Sequence, residues 1–109
     1  MKDQKPFIST NNNSYPSAIK IFEKANTAYS SGNYKSADSL FRLAKDLDVL
    51  RFRAPSEMNK MIEKFGNDYS IAVADIDSAF NASSIHNIVG DNLMTDHLHP
   101  TLQGYQLMG

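Results

Sequence analysis

The sequence predicts a mainly α protein, an α/β fragment in which one short strand is the only β element. Three observations carry that prediction. Apolar residues return at three- and four-residue spacing through three long stretches. Glycine and proline stand where those stretches begin or end. A single run, Ile71-Ala72-Val73-Ala74, has the short, apolar, β-branched character of a strand.

Residues 1–15 read as an N-terminal arm, because Asn11-Asn12-Asn13-Ser14 sustains no period and only Phe7 and Ile8 offer an anchor. Residues 16–51 read as a helical hairpin. Over 17–31, Ile21, Phe22, Ala25, Ala28 and Tyr29 share a face, and Gly32 lies where the helix should end. Over 34–50 the buried stripe is Ala37, Leu40, Phe41, Ala44 and Leu47, and the short link Ser31-Gly32-Asn33 makes the two helices antiparallel. Residues 52–109 form the remaining segment. Pro55 or Ser56 opens a helix over 56–65 with Met58, Met61, Ile62 and Phe65 on one face, and Gly66-Asn67 reads as its C-terminal cap. The strand follows near 70–74, Asp77 to Phe80 makes a helical turn, and a last helix spans 101–108, with Pro100 suited to a first helical position.

A chain of 109 residues is one small domain at most. With 41% apolar and 21% charged residues it has a globular composition. Its net charge of −1, with acids and bases interspersed, offers no basic stripe for nucleic acid, and no apolar run approaches the roughly 18 residues of a membrane span. The segment Met1-Lys2-Asp3-Gln4-Lys5-Pro6 lacks a signal-peptide core. The absence of cysteine removes disulfides, thiolate metal sites and cysteine nucleophiles, and leaves the compartment open.

The chemistry concentrates in Asp96-His97-Leu98-His99-Pro100-Thr101-Leu102-Gln103-Gly104-Tyr105. A carboxylate three residues before an imidazole, in the entry loop of a helix, is an arrangement in which an acid orients a base. His97-x-His99 with Asp96 or Asp91 also supplies ligands of the type zinc accepts, but no helical His-Glu-x-x-His frame supports it, and no cofactor is predicted. Asp75 and Asp77 end the strand and start a turn rather than forming a paired-acid site. His86 has no partner nearby in sequence. The methionines at 58, 61, 94 and 108 are gap fillers.

The Asp96-x-x-His99 block with Pro100, Gly104 and Tyr105 resembles the last sequence block of the SGNH/GDSL hydrolases. The resemblance extends to Asp3-Gln4-Lys5-Pro6-Phe7, to Lys45 through Ala54, and to the strand and Phe80 turn. It implies that Asp96 and His99 are two members of a Ser-His-Asp triad. The family's Gly-Asp-Ser nucleophile and Gly-x-Asn-Asp oxyanion block are missing, since Gly66-Asn67-Asp68 lacks the intervening residue. The resemblance therefore covers only the C-terminal portion of such an enzyme and implies a fragment, silent alone, whose ester substrate belongs to the complete enzyme. Residues 18–51 in turn resemble one tetratricopeptide repeat, with small residues at Ala25, Ala37 and Ala44, aromatics at Tyr29, Tyr34 and Phe41, and Val49 where a proline is usual. That resemblance implies a protein-interaction module as the alternative function. The lone strand and the methionine-rich face predict self-association.

Overall fold

A computed structural model describes residues 2–7, 16–50 and 52–109, and five α-helices account for most of the regular structure among them. α1 spans Ala18–Ser30, α2 Tyr34–Asp46, α3 Ser56–Tyr69, α4 Ile76–Ala82 and α5 Leu102–Met108, with a 3₁₀ turn at Ile85–Asn87. The chain is mainly helical, as the apolar periodicity predicts.

α1 and α2 form a hairpin whose ends are set by local chemistry. The Ser17 hydroxyl accepts from the Lys20 N–H and the Asn33 side chain from the Ser36 N–H, so each helix begins with a side-chain cap. Between them Gly32 takes the left-handed φ of 79°, a conformation that favours glycine. Ile21, Phe22, Ala25, Ala37, Phe41 and Ala44 are buried between the helices together with Ile88. The Phe22 and Phe41 rings meet edge to face at 5.4 Å. α2 stops at Asp46, short of the predicted Leu50. Beyond it the buried Asp48 carboxylate accepts from the backbone N–H groups of Phe7 (2.9 Å) and Leu50 (3.2 Å), which turns the chain out of the helix.

A second core lies under α4 and α5, where Phe80, Val89 and Leu93 are buried. Adjacent Ile88 and Val89 belong to different cores and so join them. Residues 2–4 run beside this joint: the Lys2 N–H donates to the Val89 carbonyl (2.9 Å), Asp3 Oδ2 accepts from the Asp91 N–H (2.9 Å), and Gln4 Nε2 donates to Asp91 Oδ1 (3.1 Å). Phe7 of the predicted anchor packs against Phe52 and His97, while Ile8 lies outside the described residues.

α3 departs from the sequence reading twice. It passes through Gly66 and ends at Tyr69, with Ser70 in the left-handed region (φ 55°) and the Ile71 N–H returning to the Gly66 carbonyl at 2.9 Å. Gly66 is a packing glycine rather than a cap: a Cβ there would overlap the Val73 side chain, which folds back over it. The face of Met58, Met61, Ile62 and Phe65 is uncovered, each residue being 50% to 56% exposed. α3 shares no extended packing with another helix. Its start is held by polar contacts instead, the Asp46 carboxylate accepting from the Ser56 N–H (2.9 Å) in place of a local cap.

The predicted strand is not formed. Residues 71–75 carry no sheet pairing among the described residues. Among the described residues the only β-bridge joins Met94 to Pro100.

Candidate active site

That bridge builds the loop carrying the predicted acid and base. Besides the Met94–Pro100 pairing, the Thr95 N–H donates to the His99 carbonyl (2.8 Å) and the Thr101 N–H to the Leu93 carbonyl (2.9 Å). Pro100 therefore sits in the bridge, not at the first position of the helix. Thr101 is the cap of α5, its hydroxyl accepting from the Gly104 N–H at 3.2 Å. Gly104 lets α5 settle on the loop's base, for a Cβ there would come 2.5 Å from the Leu93 carbonyl oxygen and 2.8 Å from Pro100 Cβ.

At the tip, Asp96 and His99 are hydrogen-bonded. His99 Nδ1 lies 2.8 Å from Asp96 Oδ2 and 3.1 Å from Oδ1. Oδ1 also accepts from the backbone N–H groups of Leu98 (2.7 Å) and His99 (2.8 Å). The His99 and Leu98 N–H groups, followed by the His99 ring, hold the Asp96 carboxyl far below the usual carboxylate range. An Nδ1–H donated to this carboxylate leaves the Nε2 lone pair as the basic nitrogen. The pair is open to solvent, with the His99 side chain 68% and the Asp96 side chain 51% exposed.

The other histidines are committed elsewhere. His97 Nε2 lies 2.9 Å from the Lys5 carbonyl, and its ring packs on Phe7 with centroids 4.0 Å apart, so His97 fastens the N-terminal segment to the loop. His86 stacks on Tyr34, with rings 3.5 Å apart and 8° from parallel. Nothing local in sequence announces that contact, since it joins the hairpin to the 3₁₀ turn. Asp91 is engaged by Gln4, and among the described residues no group of three or more His, Asp or Glu side chains is placed to hold a metal ion. The two acids near the expected strand also have separate duties. Asp75 caps α4 through the Ser78 N–H (2.9 Å) and hydroxyl (2.6 Å), while Asp77 pairs with Arg42 at 2.9 Å.

Asp96 and His97 stand on the wall of an open cleft of about 290 Å³. Its apolar side is formed by Ile76, Phe80, Val89, Met94 and Met108, and three cations, Arg42, Lys45 and Arg53, border it. The sequence reading missed these cations. Only the Arg51-Phe52-Arg53 run next to an apolar helix start hinted at them.

Compared with known proteins, the chain matches no family model, no curated protein and no solved structure. No helix among the described residues is long and apolar enough to cross a membrane.

Proposed function

We propose that this chain supplies the base half of an SGNH/GDSL-type ester hydrolase or acyl transferase. The carrying observation is the 2.8 Å contact between His99 Nδ1 and Asp96 Oδ2 in a loop closed at its base. In the complete enzyme, His99 Nε2 takes the proton of a serine hydroxyl as its oxygen bonds to the ester carbonyl carbon. The same proton passes to the leaving alcohol as the carbon–oxygen bond breaks, and water or another acceptor releases the acyl group. Asp96 keeps the ring in the required tautomer and stabilises the imidazolium. The serine and the oxyanion donors, each donor worth roughly 3 kcal/mol, must come from another polypeptide segment. Two uncovered surfaces support the reading: in a complete sheet, residues 71–74 would gain strand neighbours and the apolar face of α3 would gain a cover.

Reconstitution tests it. Adding a polypeptide that carries Gly-Asp-Ser and Gly-x-Asn-Asp blocks should restore ester hydrolysis. His99→Ala should abolish that activity, whereas His97→Ala should largely spare kcat because its ring serves Lys5 and Phe7. Activity indifferent to His99 would sink the assignment.

The uncovered face of α3 favours a second reading, a helical interaction module with a tetratricopeptide-like hairpin. The full burial of Ala25, Ala37 and Ala44 at the helix contact suits that hairpin type. Gel filtration run beside the ester assay separates the two, since a module forms a stable assembly without gaining activity from the added segment.

A further inference from the structure

The cleft beside the Asp96 loop contains a cation that no hydrogen bond among the described residues holds, although Asp48 and Asp46 act on it through their charge. Of its three bordering cations, Arg42 is held by Asp38 (3.1 Å) and Asp77 (2.9 Å), and Lys45 by Asp46 (3.0 Å), the Ala54 carbonyl (2.9 Å) and the Ser56 hydroxyl (3.2 Å). Arg53 is half-buried, yet among the described residues its guanidinium takes part in no hydrogen bond or close ion pair, and Asp48 and Asp46 reach it through charge alone. The nearest acids are already engaged: Asp46 accepts from the Ser56 N–H and Lys45, and Asp48 from the Phe7 and Leu50 N–H groups. The two carboxylates in the cleft wall do not oppose an anion strongly. Asp77 is paired with Arg42, and Asp96 with two backbone N–H groups and His99.

We propose that this cleft binds a small amphipathic carboxylate, with the head group on Arg53 and the alkyl chain against Phe80, Val89, Met94 and Met108. A guanidinium presents a planar fork of N–H donors matched to the two oxygens of a carboxylate. The cleft volume of about 290 Å³ lies at the small end of ligand sites, which suits a short chain. Burial pulls the Arg53 guanidinium below its ordinary value, with the charges of Asp48 and Asp46 opposing the shift, so an arriving anion meets a poorly hydrated cation. Binding of this kind needs neither nucleophile nor oxyanion donor and stands apart from the hydrolase reading.

The test titrates the whole chain, labelled at its methionine methyl groups, with octanoate, octanol and octylammonium, and follows each methyl resonance. Octanoate should move Met94 and Met108 saturably and bind at least about tenfold more tightly than octanol, the increment expected of a charge-assisted contact. Octylammonium should be weakest. Arg53→Gln, with its other methyl resonances unchanged, should bring octanoate down to the octanol affinity. Equal affinities for octanoate and octanol in the unsubstituted chain would overturn the proposal, a comparison that needs no variant to fold. Shifts confined to Met58 and Met61 would also overturn it, because they would place the alkyl chain on α3 instead.

Discussion

The hairpin and α3 carry the same kind of apolar stripe, yet one stripe is buried and the other is not. Phe41 on α2 is 2% exposed, whereas Phe65 on α3 is 55% exposed. Both positions satisfy the same helical spacing, so periodicity identifies an apolar face without identifying what covers it. α2 finds its cover because a three-residue link returns the chain onto it. α3 is tethered by polar contacts at its start and by Val73 at Gly66, neither of which covers the methionine face.

The largest expected difference comes from truncating those two rings. Phe41→Ala should destabilise the protein by about 3–5 kcal/mol, read from the urea midpoint, whereas Phe65→Ala should stay within about 0.5 kcal/mol. Equal losses would show that α3 is covered in solution, and a concentration-dependent midpoint would identify the cover as another copy.

Two buried glycines sharpen the contrast at smaller scale. Gly104→Ala drives a methyl group into the Leu93 carbonyl and Pro100, parts of the closed loop base, and should cost about 1–3 kcal/mol. Gly66→Ala meets the Val73 side chain and, at 3.1 Å, the Ile71 carbonyl oxygen, both in an exposed segment that joins no sheet and is tied to α3 at the Ile71–Gly66 hydrogen bond, so it can swing away. Alanine's higher helix propensity, worth about 1 kcal/mol, then leaves that variant neutral or slightly stabilised. A Gly66→Ala loss as large as that of Gly104→Ala would mean that residues 71–75 are held in place by more than Gly66.

The smallest effect concerns the loop itself. Asp96 has a folded-state pKa below its unfolded value, so the stability it contributes is fully present above about pH 4 and is lost progressively as pH falls from there through the depressed folded value. The Leu98 and His99 amide resonances should therefore remain constant through the ordinary carboxylate range and move only in stronger acid. A midpoint near 3.9, the ordinary aspartate value, would show that the N–H contacts to Asp96 do not persist in solution.

What could be read from the sequence divides by distance along the chain. The hairpin faces and the Asp96–His99 pair arise within a few residues and are visible as spacing, whereas Asp75, read as ending a strand, caps α4. Gly66 was misread because its reason is Val73 crossing over it, whereas a cap is the commoner local meaning of glycine then asparagine. Ile71 to Ala74 had strand composition but no partner, and pairing is a non-local property. The Tyr34–His86 stack, the Lys5–His97 contact and the isolation of Arg53 depend on segments dozens of residues apart, which no spacing encodes.

The bridge between Met94 and Pro100 has a consequence for how such a pair is assembled. Paired groups drawn from distant parts of a chain must wait for the whole topology, and every variation in that topology shifts their separation. Here only two residues lie between the carboxylate and the imidazole, and the loop is shut five residues wide, so the entropy of bringing the groups together is that of a very small ring. The acid and base thus behave as a portable cassette. Their mutual geometry should survive circular permutation, insertion into the α1–α2 link, or transfer of residues 93–104 to another scaffold that offers a capped helix and a seat for Gly104.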